Sequence, residues 1–209
     1  MLVRHAESEW NAKSIWTGMT DVCLSEKGAA DCRIMGKALN GLKIPIDVAV
    51  YSSLRRTSDT LSGICEVLGD DPEKICGAGF DERSYGDFTG MNKWSAKEEL
   101  GEEKFNQIRR GWDVPVPNGE TLKDVYERVV SDYESIVLPL LREGKNVLIV
   151  AHGNSLRALI KHLNNIDHKD VPYLKMPMNQ IMVYDIDSET GLSVNSTTIE
   201  SGVTITADF

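Results

Sequence analysis

Residues 146–160 read NVLIVAHGNSLRALI. The five apolar residues Val147–Ala151 are mostly β-branched or bulky, and they form a run of strand length, so they read as a buried strand. His152 and Gly153 break that run, and a helix near 154–164 follows at once. A glycine at such a strand-to-helix turn lets a ligand approach the backbone closely. The unpaired N–H groups and the positive dipole end of the helix favour an anion there. The chain opens in the same way. In MLVRHAESEWN, residues 1–11, the strand-like Leu2-Val3 is cut off by Arg4-His5. It is short for a strand, since strands average about 5–6 residues, and reads either as a stub or as the end of a strand that continues upstream.

Working outward, residues 25–41 read as a helix with Ser25 as N-cap and Gly41 as its stop. Asp47–Tyr51 is a second buried strand, and a helix over 54–68 ends at Gly69. Residues 77–120 are rich in Gly, Trp and charge, with short helical pieces near 93–110. They are expected to form an insertion lying over the main sheet. Thr121 starts a long helix with Asp124 in the capping-box position. Its core stripe is Leu122, Val125, Val129, Ile136, Val137, Leu140 and Leu141, and Pro139 is expected to kink its last turns. Ile181–Ile186 is a further strand, and the tail to Phe209 is weakly patterned. Alternating strands and helices predict an α/β fold, a three-layer α/β/α sandwich around a mostly parallel sheet. Ligands bind such sheets beyond the carboxyl ends of the strands. His5 and His152 both fall at that edge, although 147 positions apart.

The chain has 209 residues, 41% of them apolar, which suits one large domain over 1–209. Its net charge of −9 argues against nucleic acid or an anionic membrane as partner. A small anionic ligand stays compatible, because local charge decides that. No stretch approaches the 18 apolar residues of a membrane span, and Arg4, His5 and Glu7 interrupt the start too early for a secretory signal. Four scattered cysteines (Cys23, Cys32, Cys65, Cys76) read as reduced thiols of a cytoplasmic protein. Self-association is left open.

Several residues carry chemistry. His152 beside the helix start is placed to donate to a phosphate oxygen; taken alone it reads more readily as a buried histidine that caps a turn. Arg4 offers a planar fork for phosphate. Cations near His5 disfavour its protonated form and leave it neutral and nucleophilic. Ser8 and Asn11 can add donors. Arg55 and Arg56 follow the second strand at the same edge. Arg109, Arg110 and Glu82, read singly, suit a solvated surface.

The stretches RHAESEWN (4–11), SSLRRTSDTL (52–61), DERSYGDFTGMNK (81–93), RRGWDVPVPNGETLKD (109–124) and AHGNSLRALI (151–160) together resemble the cofactor-dependent phosphoglycerate mutases of the histidine phosphatase superfamily. The likeness runs from residue 2 to about 187. It implies the phosphoglycerate mutase-like fold, and His5 as the nucleophile that carries the phosphoryl group. It implies Arg4, Arg56 and His152 as the phosphate pocket, lined by Asn11, Gly153 and Asn154, and Glu82 as proton donor and acceptor. Tyr85, Lys93, Arg109 and Arg110 would hold the substrate carboxylate and second phosphate, with Thr17-Gly18 as a backbone contact. The implied primer is 2,3-bisphosphoglycerate, and the implied partner a small phosphorylated anion. No metal is expected: the four histidines include no H-x-x-E-H or H-E-x-x-H spacing.

Two features depart from the family pattern. Ala6 stands where the family has glycine, and would be strained if that position requires positive φ. Only VPVPNGE separates the double-arginine region RRGWD from the next long helix, as in short-form members, and the tail lacks the lysines that close long-form sites. The main expectation is a mutase interconverting 3-phosphoglycerate and 2-phosphoglycerate. The alternatives are a phosphohistidine-dependent phosphomonoesterase with water as acceptor, and a catalytically silent binding protein.

Overall fold

The computed structural model describes residues 1–69, 71–178 and 180–203. Six strands form one sheet: β1 (Leu2–Arg4), β2 (Val48–Tyr51), β3 (Glu73–Cys76), β4 (Val147–Ala151), β5 (Gln180–Ile186) and β6 (Ser193–Glu200), in the order β3-β2-β4-β1-β5-β6. The β3, β2, β4 and β1 neighbours run parallel, and β5 and β6 are added antiparallel. Alternate side chains of the central strands serve two separate cores, as the period of two requires. Leu2, Val48, Val50, Val147, Ile149 and Ala151 face one cluster, with residues of α6 (Leu122–Asp132) and α8 (Gly153–Leu163). Val3, Ala49, Leu148 and Val150 face the other, with residues of α2 (Glu26–Gly41) and α3 (Arg55–Leu68). Helices thus cover both faces of a mostly parallel sheet. Cutting a core leucine such as Leu148 to Ala costs about 2–5 kcal/mol.

Two strands escaped the sequence reading. Both β3 (EKIC) and β6 (SVNSTTIE) are sheet edges with largely exposed side chains, so neither carries an apolar alternation. The tail read as weakly patterned is therefore β6 as far as Glu200, and residues 204–209 lie outside the described residues. Ser25 caps α2 by accepting from Gly28 N–H, and Thr121 with Asp124 forms the capping box of α6. Five residues of π-helix, Tyr133–Val137, separate α6 from α7 (Leu138–Arg142). Pro139 has no N–H to give Ser135 and its ring crowds that carbonyl, which widens the turn at this point.

Residues 77–120 hold two short 3₁₀ turns and the helices α4 (Lys93–Leu100) and α5 (Glu102–Arg110). They share a third apolar cluster of Trp16, Tyr85, Ala96, Phe105, Ile108 and Val116. Gly86 locks this segment together: its φ is +48°, and a Cβ there would lie 1.9 Å from Pro117 O. No helix among the described residues is long and apolar enough to cross a membrane. All four cysteines are free.

Candidate functional site

The parallel register pairs Arg4 of β1 with Ala151 of β4, and His5 N–H donates to Ala151 O at 2.9 Å. The next residue on each strand is a histidine, so both rings leave adjacent strand ends. Their centroids are 4.9 Å apart at an interplanar angle of 58°. Sheet geometry alone closes the 147-residue gap.

His5 is buried, and its Nδ1 lies 2.6 Å from Ala6 O. A carbonyl only accepts, so Nδ1 carries the proton and Nε2 keeps its lone pair. The imidazole is held well below its ordinary pKa, first by burial and then by the Arg56 and Arg4 charges. Neighbouring cations, the cause expected from sequence, are thus secondary to burial. Ala6 is not among the residues of positive φ, and its N–H donates to Thr60 Oγ1 at 3.0 Å. No strain follows from the missing glycine.

His152 is fully buried and has both ring nitrogens engaged, with Ser52 Oγ 2.7 Å from Nε2 and Arg56 Nε donating to Nδ1 at 3.2 Å. In this arrangement Nδ1 accepts from Arg56, so the neutral ring as placed here does not itself offer Nδ1 as the donor to phosphate expected from sequence. Burial, then Arg56, His5, Arg4 and Arg128, keeps its pKa well below the usual value. Arg56 is buried as well, and two more of its donors go to Thr20 O (2.9 Å) and Gly18 O (2.8 Å). Arg55 instead points outward to Asp59. Ser8, expected as a ligand donor, caps the short helix α1 (Glu9–Ala12), and Asn11 Oδ1 accepts from it.

Glu82 Oε1 accepts from Arg83 N–H at 2.8 Å and from Asn154 N–H at the start of α8 at 3.2 Å. A brace of charge holds its loop. Arg128 makes a bidentate pair with Glu120 and also donates to Gly79 O, Asp81 O and Glu82 O. Glu120 in turn accepts from Ser84 N–H and Arg83 Nε. Asn154 Nδ2 donates to Tyr85 OH at 2.9 Å, and Arg157 Nη1 donates to Asn154 Oδ1 at 2.6 Å. Tyr85 stacks on Trp16, centroids 5.5 Å apart.

One cavity of about 240 Å³ gathers these groups. Thirteen of the fourteen residues that the family likeness implies line it: Arg4, His5, Asn11, Thr17, Gly18, Arg56, Glu82, Tyr85, Lys93, Arg109, Arg110, Gly153 and Asn154. The fourteenth, His152, stands behind His5. Arg157, Lys175, Trp16, Ile15 and Met176 also line the cavity and were missed. Arg157 follows Asn154 by three residues on α8, a spacing that places both on one face. Lys175 comes from the irregular stretch before β5 and left no pattern to read. Arg157 is buried and pushed down to about 10 by that burial, so it remains cationic near neutrality.

The cations fall into two groups. Arg4 and Arg56 bear on His5, whereas Arg109 and Arg110 bear on Arg157 beside Tyr85. An imidazole, guanidinium groups and a helix start converge at the carboxyl edge of a parallel sheet, a donor set chemically suited to a tetrahedral anion. The chain belongs to the histidine phosphatase superfamily (branch 1), whose family model matches residues 1–197. It is 40% identical over 193 residues to a 2,3-bisphosphoglycerate-dependent phosphoglycerate mutase of Parvibaculum lavamentivorans, covering 92% of each chain. It is 38% identical over 190 residues to a phosphoglycerate mutase of Schizosaccharomyces pombe, covering 90% of each. Among solved structures, Bacillus stearothermophilus YhfR superposes with a TM-score of 0.76 at 24% identity, over 92% of this chain and 93% of that one. A mycobacterial glucosyl-3-phosphoglycerate phosphatase gives 0.73 at 23% over 95% of both.

Proposed function

We propose that this chain is a short-form phosphoglycerate mutase interconverting 3-phosphoglycerate and 2-phosphoglycerate in the cytoplasm through a phosphohistidine on His5. The observation that carries the reading is the second cationic group. Lys93, Arg109, Arg110 and Arg157 line the same cavity as His5. A monoester hydrolase has no need of that second clamp, whereas a substrate bearing a carboxylate and a second phosphate does. A donor set divided in this way also fits 2,3-bisphosphoglycerate, which supplies the phosphoryl group that loads His5. Residues 1–209 then act as one domain, with 77–120 inserted as the substrate cover that brings Lys93, Arg109 and Arg110.

His5 Nε2 uses its lone pair to form the N–P bond as the P–O bond to the departing oxygen breaks. Glu82, protonated, gives that oxygen its proton. In the return step Glu82 takes a proton from the acceptor hydroxyl, the new O–P bond forms, and the N–P electrons go back to Nε2. Arg4 and Arg56 stabilise charge on the equatorial oxygens. Asn11, Gly153, Asn154 and the Thr17-Gly18 backbone line the pocket, and Tyr85, Lys93, Arg109 and Arg110 hold the carboxylate and far phosphate while the substrate reorients.

Intact-mass measurement after addition of 2,3-bisphosphoglycerate tests this. The expected result is one acid-labile phosphate, absent in His5→Ala, with mutase flux exceeding phosphate release. Absence of the adduct removes the mechanism, and dominant phosphate release makes the chain a phosphomonoesterase.

A further inference from the structure

Behind the site lies a hydroxyl that the mechanism above does not use. Ser52, the residue after β2, is fully buried, and so is Thr57 in the first turn of α3. Every hydrogen in this corner can be placed by counting donors. Thr57 Oγ1 donates its single proton to main-chain carbonyls, Leu54 O at 2.7 Å and Ser52 O at 3.1 Å. The proton in the 2.9 Å Ser52–Thr57 contact therefore comes from Ser52. With its own proton spent, Ser52 Oγ is an acceptor. It takes Leu54 N–H at 3.2 Å and the group 2.7 Å away on His152, so Nε2 must carry a hydrogen. On the other side of the ring Arg56 Nε can only donate, so Nδ1 must be bare.

We propose that Ser52 is a positioning residue: with Thr57 behind it, Ser52 locks His152 as the Nε2–H tautomer, the reverse of His5, and keeps its Nδ1 lone pair turned to Arg56. A tetrahedral dianion entering beside Arg56 is then met by a proton taken from solvent at Nδ1. Nδ1–H and Arg56 Nε–H can no longer face each other, so the guanidinium shifts aside and both donors are left to the anion. The Nε2–H bond to Ser52 serves the neutral and the charged ring alike, so charging needs no ring flip. The groups that bear on His152 are Arg56 from α3, His5 and Arg4 from the end of β1, and Arg128 from α6, and each disfavours a proton until the anion arrives. Anion capture and proton uptake are thereby coupled. This deepens the mutase reading and rests on it only for the anion's identity.

The test uses sulfate, a tetrahedral dianion that does not itself titrate near neutrality. Long-range ¹H–¹⁵N spectra of histidine-labelled protein should show a pyridine-type Nδ1 and pyrrole-type Nε2 for His152, and the opposite for His5. Calorimetry at pH 7.5 in buffers of different ionisation enthalpy should show uptake approaching one proton per sulfate. Ser52→Ala should take up less than half of that and bind sulfate about fivefold more weakly, the worth of one hydrogen bond. Ser52→Thr, which keeps the hydroxyl, should restore both. A pyrrole-type His152 Nδ1, sulfate binding without proton uptake, or wild-type uptake in Ser52→Ala overturns the proposal. If Ser52→Ala does not fold, the two wild-type measurements still decide. Loss of His5 phosphorylation with these results intact would remove the mutase reading alone.

Discussion

Gly153 leaves open the gap between Arg4 and Glu82: a Cβ at this glycine would lie 3.6 Å from Arg4 Cζ and 3.8 Å from Glu82 Oε2. Those are ordinary contact distances, and Gly153 is not among the glycines of positive φ. Gly153→Ala should therefore fold with an unchanged or slightly raised Tm, since Ala is the better helix former. The added methyl occupies the gap between guanidinium and carboxylate that the transferring phosphoryl group needs. Activity as kcat/KM is expected to fall by about 100-fold, the usual cost of a roughly 1 Å misplacement. Thermal melts and steady-state kinetics on the same preparation check both halves.

Glu82 accepts two main-chain N–H bonds through Oε1 alone, and a glutamine oxygen can accept the same two. Glu82→Gln should keep the fold and its loop while losing the ability to exchange a proton. The expected loss is about 10²–10⁴ in kcat, with little change in binding of inorganic phosphate. Kinetics and phosphate titration side by side would show it, and equal losses in both would assign Glu82 to binding instead.

The two histidines, the parallel strands and the shared edge were legible because each is written locally: an apolar run, a histidine, a helix start. The register Arg4↔Ala151 is what joins them, and sheet topology supplies it. The edge strands were illegible for a physical reason, since β3 and β6 bury almost nothing and carry no hydrophobic period. In the site, Lys93, Arg109 and Arg110 came from the family likeness and not from pattern. Ser52 and Arg157 lay inside stretches already singled out, but their use is a matter of hydrogen-bond direction, which sequence does not encode. Lys175 had no local mark at all.

Stability should fall on acidification below about pH 6.5. Both His5 and His152 have folded-state pKa values well below 6.5. Between the folded and unfolded values the unfolded chain binds more protons, so stability is fully present above the unfolded pKa and lost as pH falls beneath it. The slope can reach about 2.7 kcal/mol per pH unit for the two rings together. Urea unfolding at pH 7.5, 6.5 and 5.5 measures it, and His152→Gln should remove about half. The same low pKa means that His5 needs no deprotonation above pH 6.5, so kcat/KM should show no acid limb from it in that range.

Restoring the family's glycine should harm the protein. Ala6 has no positive φ, is only 2% exposed and packs in the cluster of Val3, Cys32, Leu61 and Val150. Ala6→Gly removes a buried methyl and adds backbone freedom to the unfolded chain. A loss of about 1–2 kcal/mol is expected from those two effects. The His5 Nδ1–Ala6 O bond uses the backbone and survives, so kcat should change less than about threefold. A stabilised, faster variant would show that Ala6 is strained after all.

The second clamp separates mutase from phosphatase by choice of substrate. Arg109 and Arg110 end α5 on the cavity wall, where their charges bear on Arg157 and not on His5. Arg109→Ala should therefore raise KM for 3-phosphoglycerate by about 10-fold or more, since a charge-assisted hydrogen bond is worth roughly 1.5–3 kcal/mol. An aryl phosphate has no carboxylate or second phosphate to lose, so its hydrolysis should be unchanged within about twofold by the same argument. Measuring both substrates on one variant gives the answer. Equal impairment of the two would place Arg109 in the phosphoryl pocket with Arg4 and Arg56, and remove the clamp on which the mutase assignment depends.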